Sequence, residues 1–182
     1  MDKMQKVLAL LALLCHSLIV HASGSHGGIE HQVKAAFLYK FAGYVEWPAT
    51  AFSAPDENFR IGVVSADDVA DELVRLSDNI RINERPVSIK RFSATDRVSG
   101  VQMLFVGHQA EQQLQSILQQ VDSVPVLTVT ESEGALESGS IINFVPVDDY
   151  IRFEISIARA NRCDIKISAR LLNVSLKIQK RS

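Results

Sequence analysis

Between residues 59 and 129 the chain alternates short apolar runs with helical stripes, and no other feature restricts its fold as strongly. Phe59 to Val64 is a brief apolar run that reads as a strand. Asp67 and Asp68 then open a stretch in which Val69, Leu73, Leu76 and Ile80 recur at spacings of four, three and four, one face of a helix. Acidic residues suit its positive end. Pro86 to Phe92 alternates apolar with polar and predicts a second strand; Val101 to Val106 predicts a third, closed by Gly107. Leu114, Ile117, Leu118 and Val121 line a Gln-rich helix, and Val124 to Val129 predicts a fourth strand. Strands separated by helices cannot pair as hairpins, so the pattern predicts a mostly parallel, layered α/β sheet.

The flanks follow other patterns. From Glu30 to Glu46 the chain reads as a helix with Val33, Phe37, Phe41 and Tyr44 on one face, ended by Trp47-Pro48. Ile141 to Val147 and Tyr150 to Ile157 flank Asp148-Asp149, a C-terminal antiparallel hairpin. Ile167, Leu171, Val174 and Ile178 predict a last helix, with Ser168 as its cap.

Ahead of all this, Lys3 and Lys6 precede an apolar run from Val7 to Val20, and Val20-His21-Ala22 offers a cleavage site. These are the parts of a secretory signal, expected over residues 1–22, with a Gly/Ser/His tether over 23–28 and one domain over 29–182. Cleavage would leave Cys163 as the one cysteine, which excludes an internal disulfide and suits a buried small hydrophobe. The formal net charge of −2 lacks the basic footprint of a nucleic-acid binder.

No glycine-rich phosphate loop, nucleophile elbow or cysteine–histidine metal pattern occurs, so no catalytic residue, metal ligand or cofactor is assigned. Two groups remain as candidates. In a parallel sheet ligands bind beyond the carboxyl ends of the strands. Ser65, His108, Glu131 and Ser132 follow the first, third and fourth strands and are candidate ligand-binding residues; the same residues also read as ordinary loop and cap positions. The second group is aromatic. Phe37, Tyr39, Phe41, Tyr44 and Trp47 place five rings in eleven residues of a chain that is 7% aromatic. One stripe cannot bury them all unless the helix is covered on two sides. Tyr39, Tyr44 and Trp47 are therefore candidate partner-binding residues.

At these residues the chain resembles a known family. Gln32-Val33-Lys34-Ala35-Ala36-Phe37-Leu38-Tyr39-Lys40-Phe41 followed by Val45-Glu46-Trp47-Pro48 is similar to the opening signature of the YfiR family of exported bacterial proteins. Val126 to Val129, Gly139 to Val145, Arg152 to Ile155 and Ile165 to Leu172 resemble its later blocks. The resemblance implies a three-layer α/β/α sandwich in the periplasm and a regulator, not an enzyme. It implies as partner an inner-membrane diguanylate cyclase whose sensor region is repressed, linking envelope signals to cyclic-di-GMP and biofilm formation. A small-ligand module for a nucleotide or aromatic metabolite, serving another membrane sensor protein, is the alternative, and a homodimer is compatible with either. The cysteine pairs of the founding members are missing here, so no disulfide switch carries over. Ser140 and Ser156 stand where the family often has glycine and asparagine.

Overall fold

The computed structural model describes residues 25–180; the expected signal segment lies outside them. The chain runs α1 (Ser25–Gly43), β1 (Val45–Glu46), a 3-10 turn (Ala49–Ala51), β2 (Phe59–Val64), α2 (Asp67–Ser77), β3 (Arg81–Ile82), β4 (Arg85–Phe92) and β5 (Met103–Val106). A 3-10 segment (His108–Gln113) leads into α3 (Leu114–Gln120), then β6 (Leu127–Thr130), β7 (Ile142–Val147), β8 (Tyr150–Ser156), α4 (Ile157–Arg162), β9 (Lys166–Ile167), α5 (Ala169–Asn173) and β10 (Lys177–Gln179).

Eight strands form one sheet in the order β10-β8-β7-β6-β5-β2-β4-β3. The five from β4 to β7 are parallel, and β7 with β8 forms the expected antiparallel hairpin, Val147 opposite Tyr150. Alternation along the strands divides the core into two. Ile61, Val63, Met103, Phe105, Leu127 and Val129 face the layer of α1 and α2. Val64, Leu104 and Val106 face α3, where Leu114, Ile117 and Leu118 meet them. The result is the three-layer α/β/α sandwich, with a mostly parallel sheet, that the pattern and the resemblance implied.

The flanks differ from expectation. The first helix starts at Ser25, inside the stretch read as a tether, and ends at Gly43, not Glu46. Val45–Glu46 instead pairs antiparallel with Lys166–Ile167 in a small second sheet. Sequence alone gave no sign of this partner 120 positions away, and β1 is too short to show alternation. The C-terminal stripe is not one helix either. Ser168 does cap α5, its hydroxyl accepting from the Leu171 N–H, but the helix stops at Asn173. The chain then turns extended and adds β10 to the sheet edge beside β8. Apolar spacing at 167, 171, 174 and 178 reads as helical, yet Val174 and Ile178 are solvent-facing.

The helical face of α1 is rotated from the expected stripe. Ala35, Leu38, Tyr39, Phe41 and Ala42 are buried, whereas Tyr44 is 39% exposed. Phe41 lies edge-on to Phe153 with ring centroids 4.8 Å apart and also packs on Phe144. Tyr39 points the other way, into α2. The helix is covered on two sides, which resolves the aromatic surplus for three of the five rings.

Candidate functional site

The carboxyl ends of β2, β5 and β6 bring three of the four strand-end residues together. The chain leaves β2 for β4 on one side and leaves β5 for β6 on the other, so the crevice between β2 and β5 is the topological switch point where ligands of such sheets lie. Here that crevice is tightly built. Ser65 adopts φ 50°, and its carbonyl oxygen lies only 2.7 Å from where a Cβ on Gly107 would stand. Gly107 is thus required by close approach of two backbones. Gly107→Ala is expected to cost about 1–3 kcal/mol, because the obstructing atom is backbone and has no rotamer to move; thermal melts check it.

Glu131 closes the same edge. One of its carboxylate oxygens accepts the His108 backbone N–H at 2.8 Å, and the other pairs with the Lys34 ammonium from α1. Lys34 also pairs with Glu30 one helical turn earlier. The Lys34 side chain is 10% exposed and that of Glu131 14%, so the pair is largely out of water. Burial is the strongest single influence on Lys34 and pulls its pKa down; the hydrogen bonds and charges of Glu131 and Glu30 together outweigh it and leave the pKa raised. The His108 imidazole instead faces solvent beside Glu111, 3.4 Å from its carboxylate. Ser132 is buried. Ser65, His108 and Glu131 therefore share one edge, but the Glu131 carboxylate is committed to His108 and α1. The signal that sequence reading missed is Lys34, a lysine on the helix face that turns out to be buried.

The aromatic candidates separate. The Tyr39 hydroxyl donates to the Leu73 carbonyl oxygen at 2.6 Å, and burial pushes its phenol up to about 12. The aromatic count placed this ring off the core face; it is inside, because α2 covers that flank. Tyr44 is exposed at the end of α1, and its carbonyl accepts the Ser168 N–H. Trp47 is half-buried, edge-on to Phe59 at 5.2 Å, with an indole N–H that has no partner among the described residues. It borders a groove of about 470 Å³ with Glu46, Pro48, Asn161, Asp164 and Lys166.

The remaining polar interior is structural. The Ser140 hydroxyl donates to the Ile142 carbonyl oxygen at 2.8 Å and lies 3.0 Å from the Thr130 hydroxyl, which donates to Asn143 Oδ1. These groups tie the 131–141 loop to β6 and β7, and a glycine at 140 would remove one of them. Ser156 caps α4. Arg159 is buried against Asp122, and Cys163 is buried beside the same residue, with burial pushing its thiol pKa up. Among the described residues no group of three or more His, Cys, Asp or Glu is placed to hold a metal ion, and no helix is long and apolar enough to cross a membrane.

Comparison with known proteins gives one positive finding. The model of the family described as YfiR/HmsC-like matches residues 31–175, from α1 through α5. No curated protein matches the chain.

Proposed function

This chain belongs to the YfiR/HmsC-like family, and on that premise we propose that it is an exported, non-catalytic regulator. It works in the periplasm, where it binds the sensor region of an inner-membrane diguanylate cyclase and represses cyclic-di-GMP synthesis. The observation that carries this reading is the family match across the described domain. Its charged N-terminus and apolar run support export.

The partner surface lies at the exit of α1. Tyr44 presents an exposed ring, and the half-buried Trp47 borders a groove. Both are residue types that dominate interface hot spots. Loss of the chain in cells is expected to raise cyclic-di-GMP, and detergent-solubilised inner membrane should yield a cyclase bound to it. Tyr44→Ala or Trp47→Ala should weaken that binding by about thirtyfold, the effect of roughly 2 kcal/mol. Unchanged cyclic-di-GMP with no cyclase captured overturns the function. Capture with full affinity in both variants overturns the surface alone.

A further inference from the structure

A second groove, larger than the one beside Trp47, lies at the opposite edge of the sheet, where β2, β5 and β6 begin. Its volume is about 770 Å³, within the range of small-molecule sites. Val98, Val101, Val121 and Val126 form an apolar floor, each no more than 6% exposed, and Val124 stands at the rim, 43% exposed.

The polar groups around this floor are not evenly committed. Its two carboxylates each hold donors. Glu57 receives the Ser53 N–H and the Arg60 guanidinium, and these hold its carboxyl below the usual range. Asp96 receives the Ser93 N–H at 2.7 Å with the same consequence. The side-chain oxygen of Gln120 accepts the Val98 N–H at 2.9 Å, which fixes the 93–102 loop against the end of α3. The amide nitrogen of Gln120 and the guanidinium of Arg97 have no partner among the described residues, and both line the groove.

We propose that this groove binds a small organic anion that joins an apolar body to a carboxylate or sulfonate head. The apolar body lies on the valine floor, and the head meets the Arg97 guanidinium and the Gln120 amide. A planar guanidinium suits a two-oxygen anionic head because it offers parallel N–H groups. The site is separate from the strand-end cluster at Glu131 and from the Tyr44–Trp47 surface, and it stands whether or not a cyclase is the partner.

The probe is 8-anilinonaphthalene-1-sulfonate, with uncharged N-phenyl-1-naphthylamine as its comparator, added to the folded protein. One saturable sulfonate site per chain is expected, with a raised melting temperature and at least tenfold tighter binding than the neutral dye. Arg97 is exposed, so Arg97→Glu should fold normally; it should weaken the sulfonate about tenfold or more and leave the neutral dye unchanged. Val124→Asp should weaken both dyes, and Lys177→Glu, at the sheet edge, neither. Absence of saturable binding, or sulfonate binding untouched by Arg97→Glu, overturns the proposal. Equal affinity for the two dyes overturns its anionic half.

Discussion

Replacing Lys34 by methionine is expected to destabilise the protein by about 3–5 kcal/mol, the loss typical when one member of a buried ion pair is removed. The Glu131 carboxylate would then be left charged in a site that is mostly out of water. For a domain of this size that is on the order of a 10 °C fall in melting temperature. The double variant Lys34→Met with Glu131→Gln should recover part of the loss. Glutamine keeps an acceptor for the His108 N–H and no longer strands a charge. Coupling of about 1–3 kcal/mol between the two positions is the expected outcome of the cycle. The sign of the pH effect follows from the raised pKa of Lys34. Its stabilisation is fully present below the unfolded lysine value and is lost as pH rises through the higher folded value. Salt should matter little here, in contrast to the exposed Arg75–Glu72 pair. A melting temperature within about 2 °C of the parent in Lys34→Met, or strict additivity in the cycle, would refute the role of the Lys34–Glu131 pair as a latch between α1 and the end of β6.

That latch shows which features a sequence can and cannot disclose. The parallel centre was legible because β2 and β5 are short apolar runs, β4 alternates apolar with polar, and α2 and α3 carry clear stripes. The hairpin was legible from Asp148-Asp149, where Asp148 takes φ 52° in the turn. The small sheet of β1 and β9 was not, since two-residue strands have no period and their pairing spans the whole domain. The end of the chain misled for a physical reason: spacing of three and four also fits a short helix followed by an edge strand. The strand-end cluster was half legible. Ser65, His108 and Glu131 were brought to one edge by a topology that the alternation predicts. Lys34 was not connected to them, because a long amphipathic side chain on a helix gives no hint of which carboxylate it will reach across the fold. The groove at the other edge was invisible for a related reason. Arg97 and Gln120 come from a loop and a helix end that only the sheet brings together.

Tyr39→Ala is expected to cost about 3–5 kcal/mol of folding stability and to leave partner affinity unchanged in the folded fraction. The ring is 8% exposed and fills the seam between α1 and α2, so its loss opens a cavity bounded by two helices that cannot collapse freely. Tyr39→Phe isolates the hydroxyl. It keeps the ring and removes the 2.6 Å hydrogen bond to the Leu73 carbonyl, at an expected cost of about 1 kcal/mol. The two variants also differ from the parent in alkali. The folded phenol titrates at about 12, against about 10 for a free tyrosine, because burial disfavours its charged form. The unfolded chain therefore gives up this proton first, and the contribution of Tyr39 is present in full below pH 10 and declines as pH rises toward 12. Phenolate absorbance followed through that interval should show a late-titrating tyrosine in the parent and none in Tyr39→Phe. Of the three tyrosines only this one is buried, so the assignment needs no further variant. Normal melts for Tyr39→Ala together with lost repression of a membrane cyclase would move Tyr39 to the partner surface and contradict its place in the core. Lost stability with intact affinity would leave Tyr44 and Trp47 as the aromatic residues of α1 and its exit that face a partner.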